Sequence, residues 1–134
     1  MSVLLDTNAC IAVMNNMPHA REHLKQVRLR REVAFVSTVT LFELWFGVVK
    51  STRQADNANR LSDFLPAVEL LEFDDGDARG AAHLRLALAR AGTPIGGYEL
   101  LIAGQALHRD LVFVTANVAE FSRVPDLRWE NWKA

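Results

Sequence analysis

The sequence holds a single cysteine, Cys10, so no internal disulfide can form and a reducing cytoplasm is the expected setting. Neither sign of charge is in excess: Lys and Arg number 15 against 16 Asp and Glu, for a formal net charge of -1. That balance excludes a polybasic nucleic-acid binder held by bulk charge, but not local patches. Apolar runs fall short of the roughly 18–20 residues that span a bilayer, so no membrane partner is expected. The opening MSVLLDTNACIAVM lacks a charged segment ahead of its apolar residues and is interrupted by Asp6, which does not fit a signal peptide. Repeats, low-complexity tracts and Pro- or Ser-rich linkers are missing too, so residues 1–134 read as one domain.

What is present is a core: half of the residues are hydrophobic. Short β-type runs alternate with longer helical ones. The strand candidates are VLL before Asp6, VAFVS (33–37), VELLEF (68–73), LVFVT (111–115) and a closing edge strand in LRWENW. The pattern predicts helices over 8–16, 19–31, Thr38 to about Lys50 and Arg53 to Leu65. Another, capped by Asp75 or Asp77, runs to about Ala91 with Gly92 as its left-handed stop. A helix containing Glu99 follows, then a short turn of helix over Asn117–Phe121. This alternation predicts an α/β domain with a mostly parallel central sheet flanked by helices on both faces. In such sheets functional groups collect at the carboxyl ends of the strands.

That rule selects among the acids. Asp6 ends the first strand and also suits a helix cap. Glu43 stands in STVTLFELWFG between large apolar neighbours, where an unpaired buried acid is costly; a place on the solvent face is its alternative. Glu99 opens the apolar helix of TPIGGYELLIAGQAL, where an acid also complements the helix dipole. Asn117 follows the last core strand, and Glu120, one turn on, could complete a capping box with it. Asp6 and Asn117 end strands, while Glu43 and Glu99 lie on helices entered from the sheet. Several carboxylates at one rim repel one another unless a cation joins them. Oxygen ligands of this kind suit Mg²⁺ or Mn²⁺ rather than zinc, and such ions serve phosphate chemistry.

Four stretches, LLDTN, STVTLFELWFG, GTPIGGYELLIAGQAL and VFVTANVAEFSRVPDLRWENW, resemble in order the motifs of PIN-domain ribonuclease toxins, the VapC toxins of type II toxin–antitoxin systems in particular. The resemblance covers nearly the whole chain. It implies a PIN-like domain acting as a metal-dependent endoribonuclease, cutting structured RNA such as tRNA to leave a 5′-phosphate and a 3′-hydroxyl. It also implies a VapB-type antitoxin as partner, contact with operator DNA only through that antitoxin, and a toxin homodimer. The family's acids map onto Asp6, Glu43, Glu99 and Asn117, with Glu120 nearby, as holders of Mg²⁺ or Mn²⁺. Thr7 or Thr115 would support them through a hydroxyl. The third family acid is normally Asp, so Glu99 places its carboxylate roughly 1.3–1.5 Å farther out, which implies either a site that tolerates the longer arm or an attenuated activity.

The densest basic run, KQVRLRR (25–31), reads first as a solvated helix face. Arg85, Arg90 and Arg123 are further candidates for phosphate contact. His19 and His23, at i and i+4, lack a third ligand and read as surface residues. Phe42, Trp45 and Phe46 read first as core, and second as a groove for a partner's hydrophobic segment. The competing function is a catalytically impaired PIN-like module that binds RNA or protein. A different α/β phosphotransferase is disfavoured, because LLDTN has Asn at position 8 where phosphatases carry a second Asp, and no Walker-type loop occurs.

Overall fold

A computed structural model describes residues 1–133. Within it, strands β1 (Val3–Leu5), β2 (Ala34–Ser37), β3 (Glu69–Leu71), β4 (Val112–Val114) and β5 (Trp129–Glu130) form one sheet. Their order is β3-β2-β1-β4-β5, and every neighbouring pair is parallel. The helices are α1 (Thr7–Met14), α2 (Pro18–Leu29), α3 (Thr38–Val49), α4 (Gln54–Phe64), α5 (Asp75–Arg90), α6 (Gly97–His108) and α7 (Val118–Phe121).

Strand side chains alternate between two cores, as a pleated strand requires. Val3 and Leu5 of β1, Val36 of β2 and Val114 of β4 pack with α1, α2, α3 and α4. Leu4 and Phe113 face the other way, onto Leu84 and Leu88 of α5, Ile102, Ala103 and Ala106 of α6, and Phe121 of α7. The helices α5 and α6 approach closely because Gly104 has no side chain: a Cβ there would lie 2.7 Å from Ala81 Cα. Among the described residues no helix is long and apolar enough to cross a membrane.

The sheet order reverses between β1 and β4. Their carboxyl ends therefore diverge into oppositely placed connections and leave a crevice, the usual ligand position in open α/β sheets. Asp6 N–H donates to Val114 O at 3.0 Å, which ties the two strand ends together at that point.

Several local expectations are corrected. The cap of α5 is Asp74, not Asp75 or Asp77; Asp74 accepts from Asp77 N–H, and Asp77 returns the bond to Asp74 N–H, both at 3.0 Å. Gly92 is the left-handed stop, at φ 72°. The third strand shrinks to Glu69–Leu71 and the last to Trp129–Glu130, because edge strands keep only the residues that find ladder partners. Asn117 and Glu120 do not complete a capping box: Asn117 N–H already donates to the Thr115 hydroxyl at 3.0 Å. Phe42, Trp45 and Phe46 are not core. They stand 54%, 38% and 54% exposed, while Thr40, Leu44 and Val48 form the buried stripe of α3. His23 is not a plain surface residue either, since its ring stacks on buried Trp132 with centroids 5.6 Å apart.

Candidate active site

Asp6 is the residue immediately after β1 and the cap of α1, its carboxylate accepting from Ala9 N–H at 2.7 Å. Only 8% of it is exposed. Glu43 sits in the middle of α3, half-buried, and faces the sheet rim rather than solvent. Glu99 occupies the first turn of α6, which enters after a Gly96 lead-in without a side-chain cap. Asn117 leads into α7 after β4, and its Oδ1 accepts from Glu120 N–H at 3.4 Å.

These four residues line one cavity of about 160 Å³, together with Thr7, Asn8, Ile102, Phe113 and Phe121. Elements from both halves of the chain thus deliver three carboxylates and an amide to the switch point. The two threonines of the rim support them. Thr7 Oγ1 donates to Glu43 Oε1 at 2.9 Å, and the Thr115 hydroxyl bonds to Asp6. Glu120 is bonded to the backbone and side chain next to the cavity. One of its oxygens accepts from Gly96 N–H and the other from Asn117 Nδ2, each at 2.8 Å.

Burial pushes the Asp6 carboxyl up; bonds from Ala9 N–H, the Thr115 hydroxyl and Asn8 N–H, with the charge of Lys133, offset this only in part. An ionised Asp6 is therefore short of positive charge, with no ion pair of its own among the described residues. The same burial pushes up the thiol of Cys10, behind Asp6 in the core. Such a thiol is inert rather than nucleophilic.

The donor set tests well against a hard divalent cation. It is all oxygen, it includes a desolvated carboxylate lacking a counter-charge, and it opens onto solvent. The carboxylates of Asp6, Glu43 and Glu99 share the cavity without all lying within 4.8 Å of one another. An ion such as Mg²⁺ keeps several waters and takes one or two carboxylates directly, so it does not require all three to touch it.

A tighter cluster was not foreseen from sequence: ligand atoms of Asp74, Asp77 and His108 fall within 4.8 Å of one another. Its charge is already met. Arg109 reaches Asp77 with Nε at 3.0 Å and Nη2 at 3.1 Å, and Asp74 with Nη2 at 3.0 Å. Gln105 Nε2 adds a bond to Asp77 at 3.1 Å. This is a structural ion pair tying α6 to the start of α5. The sequence signal, an Asp-x-x-Asp at a helix start, carries no hint of the Arg109 that completes it.

Of the basic candidates, Arg85 lines a second cavity, of about 750 Å³, that shares Glu99 with the acidic one. Arg123 Nη1 donates to Pro94 O at 3.5 Å, and Arg90 lies exposed in the last turn of α5. Lys25 and Arg28 of the basic run, with Arg21 and Arg60, line a groove of about 670 Å³ between α2 and α4.

The PIN domain model matches residues 3–127. The chain is 38% identical over 133 residues to the tRNA(fMet)-specific endonuclease VapC of Salmonella typhimurium, covering 98% of each. Among solved structures it resembles VapBC2 of Rickettsia felis bound to a DNA fragment from its promoter, with TM-score 0.93, 33% identity, and 98% of this chain and 99% of that one covered. The DNA-bound VapBC of Salmonella typhimurium gives TM-score 0.91 at 38% identity, with 98% of each chain covered. The sheet order, the acidic cavity at its switch point and these full-length likenesses agree, and the chain belongs to the PIN domain family, in its VapC group.

Proposed function

We propose that this chain is a divalent-metal-dependent endoribonuclease of the toxin type, acting in the cytoplasm on structured RNA, tRNA included, and held in check by a VapB-type antitoxin. The observation that carries the reading is the convergence of Asp6, Glu43, Glu99 and Asn117 on one cavity where the sheet order reverses. The names of its relatives support the substrate and the partner. Contact with operator DNA would come only through the antitoxin.

In this reading Asp6, Glu43 and Glu99 hold one Mg²⁺, or Mn²⁺, directly or through water. When bound, the cation supplies positive charge to the attacked phosphodiester and makes a water at the site more acidic. The chain's own residues do the rest. Thr7 orients Glu43, Thr115 orients Asp6, and Asn117 presents its side chain to the cavity. Glu120, with both oxygens engaged, holds Asn117 and Gly96 in place. Arg85, which lines the neighbouring cavity together with Glu99, would meet a phosphate of the incoming strand. The exposed aromatics of α3 offer the apolar face that a homodimer or an antitoxin segment would cover. Glu99, one methylene longer than the family's usual Asp, still lines the shared cavity, which supports a working site over a disabled one.

The test is cleavage of tRNA with and without Mn²⁺, in the native protein and in Asp6→Ala. Cutting that needs the metal and vanishes in the variant is expected. RNA binding without metal-dependent cutting would instead identify an impaired binding module.

A further inference from the structure

A cavity walled by three carboxylates repels the phosphates of RNA, and a chain of formal net charge -1 offers no bulk attraction in exchange. A strand cut there must be held by cations close by. On α2, Arg21, Lys25 and Arg28 stand at i, i+4 and i+7, a spacing that puts them on one face of the helix. With Arg60 of α4 they line the groove between these helices, against two acids, Glu22 and Asp63. Among the described residues none of the four cations forms an ion pair. Arg21 and Arg60 donate instead to Asn16 Oδ1 and Asn15 Oδ1 of the α1–α2 connection, and Arg28 to Ala67 O at 3.3 Å. The apolar lining residues Val13, Leu24 and Phe64 are already buried in the core. What the groove presents to solvent is therefore charge, which suits an anionic strand better than an apolar protein segment.

The groove does not end blind. Met14 and Arg60 also line a smaller groove of about 170 Å³ along α1, α3 and α4, which shares Thr7 and Glu43 with the acidic cavity. A helix rises about 1.5 Å per residue, so Met14 lies roughly 10 Å along α1 from Thr7. Gly47 lines this connecting groove, and a Cβ there would meet nothing within 4 Å. On the other side, Glu99 leads on to the cavity of Arg85, so cations flank the acids in both directions. We propose that this linked surface is the track of the RNA strand: Arg21, Lys25, Arg28 and Arg60 hold its phosphates, and the open floor over Gly47 leads it to Glu43. The inference rests on the reading of the acidic cavity as the cutting site. Lys25 and Arg28 of the basic run then serve the track, while Arg30 is taken up by Glu32 at 2.7 Å.

The experiment compares the native protein with Lys25→Gln/Arg28→Gln, with Gly47→Leu, and with a control pair, Arg79→Gln/Arg128→Gln. The control cations lie outside the groove and are already paired with Asp75 and Asp110. Binding of a fluorescein-labelled single-stranded RNA of about 12 nucleotides is followed by anisotropy in metal-free buffer. Each phosphate contact on a single strand adds about 0.7 to the slope of log affinity against log salt. Lys25→Gln/Arg28→Gln should therefore flatten the slope by about 1.4 and weaken binding roughly 10–30-fold near 0.1 M salt. The control should change the slope by less than about half as much. Gly47→Leu fills the floor and should slow Mn²⁺-dependent cleavage roughly 10–100-fold, with calorimetric Mn²⁺ affinity unchanged as the sign of an intact fold. An unchanged slope in Lys25→Gln/Arg28→Gln, an equal change in the control, or full cleavage by Gly47→Leu would overturn the proposal. Loss of antitoxin retention in place of RNA affinity would assign the groove to the protein partner and overturn it equally. Native cleavage by Asp6→Ala would sink the cutting-site reading itself, a separate failure that leaves the salt slopes as they are.

Discussion

Thr7 and Glu43, 36 positions apart, are joined by a 2.9 Å hydrogen bond from the Thr7 hydroxyl to Glu43 Oε1. The bond ties the first turn of α1 to the middle of α3 across the carboxyl rim of the sheet, and fixes one of the acidic walls of the cavity. Thr7→Val keeps the shape and removes the donor. Mn²⁺ affinity and cleavage are expected to fall roughly 10–100-fold. Stability should fall by only about 0.5–1.5 kcal/mol, the net worth of an ordinary hydrogen bond. Thr7→Ser should retain most of the activity. Full cleavage by Thr7→Val would show that Glu43 needs no such support.

Asp6 opposes stability to function. Burial raises its carboxyl above the ordinary value of 3.8, so the folded protein keeps this proton longer than the unfolded chain does. Stability therefore declines as pH rises from 3.8 through the folded value, and the cost of the ionised group persists above it. Asn caps helices as well as Asp does. Asp6→Asn should abolish cleavage yet unfold at higher urea than the native protein at pH 7 without metal. The gain should vanish below pH 3.8. Lower stability of Asp6→Asn at pH 7 would contradict this account.

The Asp77–Arg109 pair has the opposite sign. Burial pushes Asp77 up, but bonds from Arg109, Asp74 N–H and Gln105, with the Arg109 charge, prevail and hold it below its ordinary value. Its contribution is therefore complete above pH 3.8 and lost as pH falls through the lower folded value. Arg109→Met leaves the Asp77 carboxylate without its cation; with Arg109 32% exposed, the cost at neutral pH should be about 1–3 kcal/mol. In urea titrations the gap between the two proteins should narrow below pH 3.8. A pH-independent gap would mean that Arg109 acts through packing alone.

Gly104 tests the packing of α5 on α6. The atom that a Cβ at Gly104 would meet is backbone, Ala81 Cα at 2.7 Å. Gly104→Ala forces the helices apart and should cost about 1–3 kcal/mol by denaturant unfolding. An unchanged midpoint would show that the helices part freely.

Much of this was legible in the chain because strand patterning and strand ends are local signals. VLL, VAFVS and LVFVT announced three buried strands, and the acids just after them pointed to the rim. Asp6, Glu43, Glu99 and Asn117 do line a common cavity. The failures came where tertiary contacts decide. Phe42, Trp45 and Phe46 look like core by composition, yet the helical repeat turns Thr40, Leu44 and Val48 inward instead. Asp74 became the cap of α5 because Asp77 could answer it, and no rule of spacing shows that Arg109 would close the pair from another helix. The two bonds of Glu120 join loops 24 and 3 residues away in sequence, a link only three dimensions reveal.

The parallel pairing of β1 with β4 sets Val3 beside Val112. The walls of the acidic cavity are thus assembled from stretches made early and late in synthesis. Until β4 docks, Asp6 has neither the Thr115 hydroxyl nor the Asn117 side chain beside it. Contacts of such long separation are among the slow steps of folding. A half-finished or loosely collapsed chain therefore lacks the complete cavity: the proposed site arrives only with the closing of the sheet.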